Sequence, residues 1–600
     1  MIKLSDYVIN YLEQLNVNHI FMIPGGGAMH LNDSLGNSEK IEYICCLNEQ
    51  ACSIAAEAYA RVNNKLGMAM VTTGPGGTNA ITGVAGGWIE STPMLIISGQ
   101  VKIMDQIRNQ NIRQMGMQEV DIVSIVRHIT KYAVMITDPN KIKYHLDKAI
   151  YEATNGRKGP VWLDIPLDIQ ASMIDEENLQ GYIPETNEFD EEELENKVKV
   201  VIEYINNSER PVILAGNGIR LSEAILEFRE LIDELGIPVL TTWNGIDLIW
   251  DDHPLFFGRP GGVGQRAANF IQQNSDLFIS IGARMNLLQT GYNFDSFARA
   301  AKKIMVDIDE NELKKINVRP DLPIVSDAKK FIKLLIKNKN KIKKRERSNW
   351  IDYCSRLKEK YPIVLKQYWE EKEFVNSYVL LDVLSNEMKE NDIFVIGSSG
   401  SGLDVSMQTF RVKNGQRVFS TKGLAAMGFG VPATIGACLA SNNKRTVCVN
   451  GDGGFQMNIQ ELETIRRLNL PIKIFVINNN GYATIKATQT NVFKGHFVAC
   501  DKESNLTIPN ISDIAKAYKL KTVQIRNNCE VKTKVKEVLE YEGPVICEVF
   551  VSINQAIIPR QVSYKRKDGQ MESKPLEYLR PEIDEEEFNE NMIIPLYKEE

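Results

Sequence analysis

The stretch 450-NGDGGFQMNIQELETIRRLNLPIKIFVINNNGY-482 decides how this chain is read. The apolar run TVCVN that leads into it reads as a buried strand, and GDGG as the turn leaving that strand. Ile459, Leu462, Ile465 and Leu468 recur at helical spacing, and IKIFVIN is a second apolar strand that also ends in polar residues. Strand, helix and strand make a parallel βαβ unit, whose strands bring their carboxyl ends to one edge of the sheet. Asp452 and Asn479, 27 positions apart, are thereby expected to meet. An Asp carboxylate, an Asn carbonyl and a backbone carbonyl near Gly481 form an all-oxygen set suited to Mg²⁺ or Ca²⁺. Such ions keep phosphate oxygens and water as their remaining ligands. Gly451, Gly453 and Gly454 permit close backbone approach to an anion, and the following helix start favours negative charge. Taken alone, GDGG is as well read as a plain turn; two polar strand ends in one βαβ unit point to a divalent cation holding a diphosphate.

The same alternation runs through most of the chain. Apolar runs at 43-YICCL, 69-AMVTT, 94-MLIISG, 159-GPVWLDIPLD, 212-VILAG, 277-LFISIG, 304-IMVDID and 393-IFVIG are separated by helix-period segments. Several lack polar alternation, as strands covered on both faces do. The fold class is therefore α/β, with doubly wound parallel sheets. A net charge of −7 gives no reason to expect nucleic acid as a partner. No apolar run approaches the ~18 residues that would predict a membrane span. The start, MIKLSDYVINYLEQLNV, reads as an amphipathic helix and not a signal peptide. Nine scattered cysteines without CxxC fit reduced thiols, and the expected location is cytoplasmic. The chain lacks GxxxxGK[ST], and 215-AGNGIR is too weak a GxG to establish a dinucleotide site.

Two charged stretches, 187-NEFDEEELENKVK and 337-KNKNKIKKRER, read as solvated helix faces or linkers and mark boundaries. They divide the chain into domains at 1–185, 195–340 and 360–560, with an acidic tail at 561–600 anchored by Leu576, Tyr578 and Leu579. No short internal repeat is visible.

GDGGFQMNIQEL…NN resembles the diphosphate-binding signature of thiamine-diphosphate enzymes, most closely the acetolactate synthase large-subunit branch. The resemblance spans roughly residues 1–560. It implies a pyrimidine-binding domain, a central domain that often carries FAD, and a diphosphate-binding domain that holds Mg²⁺ through Asp452, Asn479 and Gly481. The segment 47-LNEQACSIAAEAYAR is similar to the family's HEQxAxxxAxGYAR. Asn48 is placed to cap a helix and Glu49 falls in its first turn. The resemblance implies that Glu49 bonds the cofactor's aminopyrimidine and favours the tautomer that removes the thiazolium C2 proton; Glu57 is assigned a structural or surface role. Gly25 in 24-PGGGAMHLND, Gly74 in 73-TGPGGTNA and Gln118 in 116-GMQE fall on cofactor-facing family positions. Met427 in 421-TKGLAAMGFG matches the residue that props the cofactor into its bent shape. Gly282, Arg284 and Asp307 match FAD-touching positions. The family pattern also implies a homo-oligomer, with the glutamate from one subunit and the GDG corner from another.

The departures bear on the substrate. The family's tryptophan position after the asparagines falls on Thr488, and its acceptor-gripping arginine position on Leu288. Losing an aromatic wall and a bidentate cation removes two usual reasons for a 2-oxo acid acceptor. Gly402 stands where the family has a histidine, Met117 replaces a phenylalanine, and His30 has no counterpart. The expected activity is decarboxylation of a 2-oxo acid, pyruvate first among them, with transfer of the two-carbon unit to an acceptor carbonyl. The alternatives are a carboligase using a keto-sugar or aldehyde, a simple decarboxylase with His30 as proton donor, and an inactive regulator of the same fold. A nucleotide-binding dehydrogenase is disfavoured for want of a GxGxxG with its downstream acid.

Overall fold

The computed structural model describes residues 1–107, 110–185, 191–398, 400–565, 569 and 571–597. Three parallel sheets account for its architecture, and each includes apolar runs noted above beside strands that the sequence reading did not mark. The first holds β1 (His19–Met22), β2 (Glu42–Cys45), β3 (Gly67–Val71), β4 (Met94–Gln100), β5 (Tyr132–Met135) and β6 (Pro160–Pro166) in the order β2-β1-β3-β4-β6-β5. The second holds β7 (Pro211–Ala215), β8 (Val239–Thr241), β9 (Leu277–Ile281), β10 (Lys302–Asp307) and β11 (Leu322–Val325) in the order β8-β7-β9-β10-β11. The third holds β12 (Ile393–Ile396), β13 (Arg417–Ser420), β14 (Thr446–Gly451), β15 (Ile472–Asn478), β16 (Lys521–Ile525) and β17 (Val545–Phe550) in the order β13-β12-β14-β15-β17-β16. The first and third sheets thus share one topology, and each sheet reverses its winding between its first and third strands. Strands β3, β4, β6, β7 and β15 are buried along their whole length, because helices cover both faces.

The first and third domains share a hydrophobic core. Helix Glu49–Asn63 is buried from Ala51 to Arg61 and packs on helix Gly430–Ala440. Its small side chains allow this: a Cβ on Gly436 would stand 1.9 Å from the Ala55 carbonyl oxygen. Ala55, Val395, Ile435 and Phe455 fall in one continuous apolar cluster. Glu57, on the same helix, is 1% exposed and paired with Arg61, so its role is internal.

The tail lies on the central domain. Leu576 and Leu579 are buried, and Arg299 pairs with the buried Glu577 at 2.7 Å. All nine cysteines are free. No helix among the described residues is long and apolar enough to cross a membrane.

One local expectation is corrected. GDGG is not a turn: helix Asp452–Gln456 begins directly at the end of β14. The Asp452 carboxylate accepts the Gly453 N–H at 2.7 Å, so the side chain satisfies a first-turn donor that a cap would otherwise take. The stripe Ile459 to Leu468 then spans a 3₁₀ turn (Ile459–Glu461) and a short helix (Leu462–Arg467), not one continuous helix.

Candidate active site

Each sheet offers a crevice where its winding reverses, at the carboxyl ends of two neighbouring strands. In the third domain that crevice lies between the ends of β12 and β14. Asp452 is 2% exposed, and its Oδ2 accepts the N–H groups of Asn479 (3.0 Å) and Gly481 (3.3 Å). The strand ends therefore meet as the βαβ reading requires. Burial pushes the Asp452 carboxyl up to about 6 against the lowering effect of these N–H groups. The Oδ1 of Asn479 is buried and has no hydrogen-bond partner. A buried carboxylate beside an unused amide oxygen is a hard-oxygen donor set of a kind that fits Mg²⁺ or Ca²⁺.

The anion side of this corner includes residues the sequence reading passed over. Ser398 Oγ and both polar atoms of the Asn450 side chain are buried without partners, and a Cβ on Gly454 would fall between them. The Ser398 hydroxyl can donate to a phosphate oxygen, and the Asn450 amide can do the same when its nitrogen, which faces Gly430 here, is turned to that side. A Cβ on Gly453 would come within 2.3 Å of the Tyr482 ring and 3.1 Å of the Met427 methyl, so both side chains overhang the Asp452 corner. Strand-end position was the signal available for Ser398 and Asn450; nothing local marked Tyr482.

In the first domain the crevice lies between the ends of β1 and β3. Gly25 packs against Thr72, and the hydroxyls of Thr72 and Thr73 are buried without partners. Gly74 sits at φ +63° against the backbone of Gln118, itself at φ +64°. Asn48 caps the next helix by accepting the Gln50 N–H. Glu49 then projects from the first turn, half-buried, and accepts a bond from Asn79 Nδ2 at 2.9 Å. His30 is half-buried on helix Met29–Gly36.

No hydrogen bond joins Glu49 to Asp452 among the described residues, but the segments carrying them are joined. Buried Glu461 accepts the Leu47 N–H at 2.8 Å, and Arg467 donates to the Cys45 carbonyl at 2.9 Å. Asn458 Nδ2 bonds both the Gln50 side chain (3.2 Å) and the carbonyl of Gly428, next to Met427. The helical segment after Asp452 thus grips the turn that presents Glu49.

In the central domain the crevice between β7 and β9 opens into a cavity of about 410 Å³. Gly282, Arg284 and Asp307 all line it, together with Asn217 and Leu288. Arg284 donates to the Ile89 carbonyl of the first domain, and burial raises the Asp307 carboxyl above its usual range. Leu288 packs into the apolar cluster of the third domain, whereas Thr488 is exposed on helix Ala483–Phe493.

Three sheets with ligand-ready crevices, one carrying a carboxylate–amide cation corner, define the architecture of a thiamine-dependent enzyme. Models of the thiamine pyrophosphate (thiamine diphosphate) enzyme N-terminal, central and C-terminal domains match residues 2–125, 198–335 and 400–549. The chain belongs to the thiamine pyrophosphate enzyme family. It is 32% identical to the acetolactate synthase large subunit of Lactococcus lactis over 92% of this chain and 93% of that one. It is 32% identical to the chloroplastic acetolactate synthase 2 of Zea mays, over 93% and 86% of the two chains. The probable acetolactate synthase large subunit of Methanocaldococcus jannaschii is also 32% identical, over 92% and 93%. The chain is a thiamine-diphosphate-dependent enzyme of acetolactate synthase-like type.

Proposed function

We propose that the chain decarboxylates a 2-oxo acid, pyruvate in the first instance, and passes the two-carbon unit to an acceptor carbonyl. The observation that carries this reading is the Asp452 corner: a buried carboxylate, an unpartnered Asn479 oxygen, and the unpartnered Ser398 hydroxyl and Asn450 amide. Asp452, Asn479 and the Gly481 carbonyl would hold Mg²⁺, and Ser398 and Asn450 would donate to phosphate oxygens. Thiamine diphosphate, when bound, supplies the electron sink for decarboxylation. Met427 and Tyr482 would support its rings, and Glu49 would hold a proton at its aminopyrimidine. Incubation with thiamine diphosphate, Mg²⁺ and carbon-13 pyruvate, followed by NMR, tests the reading. Acetolactate is the expected product. Turnover that requires an added aldehyde or keto-sugar would assign the acceptor to that class, the reading favoured by apolar Leu288 and exposed Thr488. Acetaldehyde alone would make the enzyme a simple decarboxylase.

We further infer that the central cavity takes FAD. A volume of about 410 Å³, a half-buried Asp307 carboxylate able to accept hydroxyl donors, and the cavity-facing Asn217 and Gly282 support this. A flavin absorbance band in the purified protein is the expected result.

A homo-oligomer with sites between subunits is the third element of the proposal. Around Glu49 the first domain exposes Tyr43, Leu47 and Met117, and the third exposes Met457, Val492 and Phe493. Apolar side chains this open on two site-bearing faces fit burial against a second copy. Sedimentation equilibrium should return at least a dimer.

A further inference from the structure

The three domains meet at a second cavity, of about 10 Å³, whose lining carries four cationic side chains. Arg61 and Lys158 come from the first domain, Arg220 from the central domain and Arg417 from the third. Two carboxylates answer them. Glu57 lies 3.2 Å from Arg61, while Asp247 is shared between Arg220 (2.7 Å) and Arg417 (2.8 Å). Lys158 forms no ion pair among the described residues. Arg61 and Arg417 are each 6% exposed, and half-buried Lys158 feels Glu223 and Asp327 only at longer range, so the positive charge in excess of Glu57 and Asp247 is poorly screened by water. The crowding is visible in Arg417, which burial and then the neighbouring Arg220 and Arg61 pull down to about 9.

Polar atoms on these same side chains lack partners. Arg61 Nε and Arg220 Nε have no acceptor, and neither Thr92 Oγ1 nor Asn217 Oδ1, on two further lining residues, is bonded. The Thr92 hydroxyl and the Asn217 amide can each turn a donor toward a negative guest. The volume is that of one water-sized particle, too small for a phosphoryl or carboxylate group. A water molecule would fill the space and leave the charge uncompensated; a monatomic anion does both.

We propose that this cavity is a binding site for a single halide ion, chloride in physiological buffer. The ion sits among Arg61, Lys158, Arg220 and Arg417 and fastens the three domains at one point. Lys158 and Asn217 also line the larger cavity, which gives the ion its way in. The flexible Lys158 stem provides the few tenths of an ångström by which chloride exceeds water. Lys158 and Asn217 are shared with the cavity proposed for FAD, but halide binding is read directly and its test does not need turnover.

Crystals of the full-length protein soaked in sodium bromide, with diffraction recorded at the bromine edge, read the site directly. An anomalous peak in contact with Arg61, Arg220 and Lys158 is expected. Ordinary water density there with no anomalous signal, or a bound phosphate reaching in from the larger cavity, would overturn the proposal. In solution, thermal unfolding in sodium chloride against sodium gluconate at equal ionic strength should show a halide-dependent rise in Tm. Lys158→Gln should weaken the apparent chloride affinity roughly tenfold, since it removes one charged hydrogen bond. Equal Tm values in the two salts for the unmodified protein would also rule the site out.

Discussion

At the scale of single residues, the Asp452 corner converts two strand ends into a place for charge. Asp452 is 2% exposed and, among the described residues, is bonded only by backbone N–H groups and pairs with no protein cation. Asp452→Asn should abolish Mg²⁺-dependent binding of thiamine diphosphate, measured by titration calorimetry, while the secondary-structure signal is retained. Gly453 permits a different argument. A methyl there meets the Tyr482 ring, so Gly453→Ala should weaken cofactor binding by about tenfold or more, as expected when a ring is displaced at a cost of ~1–3 kcal/mol. Glu49→Gln keeps the shape but loses the carboxylate. Exchange of the cofactor's C2 proton, followed by NMR in D₂O, should slow by about 10²–10⁴-fold, the usual worth of an acid–base group. An unchanged exchange rate would remove Glu49 from its assigned role.

At the scale of elements, the segment Asn458–Arg467 is the link between the two halves of the chemistry. Glu461 accepts the Leu47 N–H, and Asn458 ties Gln50 to the Met427 turn. Glu461→Ala removes an acceptor from the turn before Glu49 and should slow C2 proton exchange with little change in cofactor affinity. Glu461→Gln retains an acceptor oxygen and should restore most of the rate. Equal losses in both variants would show that the charge of Glu461, and not its grip on the turn, is what counts. Helix packing makes the parallel case for stability. Gly436→Ala places a methyl 1.9 Å from the Ala55 carbonyl oxygen, between two helices that share a core. The helices must part, at a cost of roughly 1–3 kcal/mol or more, readable as a lower Tm.

At the scale of the whole molecule, buried carboxyls set a pH dependence. Asp164 is 1% exposed, and burial pushes it up to about 7 despite bonds from Ser98 and Gln100. Its unfolded value is near 3.9. Between about pH 4 and pH 7 the folded state therefore holds more of a proton at Asp164 than the unfolded state does, so the contribution of this group to stability falls as pH rises through that window and levels off above it. Glu57, also raised to about 7, acts in the same direction. Asp164→Asn should flatten the decline in Tm between pH 5 and pH 7.5, and an unaltered slope would exclude Asp164 as a contributor.

The sequence alone determined the parallel sheets, because continuous apolar runs bounded by helix-period segments have few other ways to bury both faces. It also determined that Asp452 and Asn479 would meet, because consecutive parallel strands end at one edge. What it could not determine lies in contacts between distant segments. The helix start at Asp452 looks like a glycine turn until its carboxylate is seen to accept the Gly453 N–H. Ser398 and Asn450 acquire meaning only from the missing partners of their buried polar atoms, which depend on every neighbour. The shared strand order of the first and third sheets leaves no visible sequence repeat, since topology constrains apolar patterning and not residue identity. Tertiary structure alone decided that Arg61, Lys158, Arg220 and Arg417 converge, because long-range packing of three domains, and no local rule, sets which charges become neighbours.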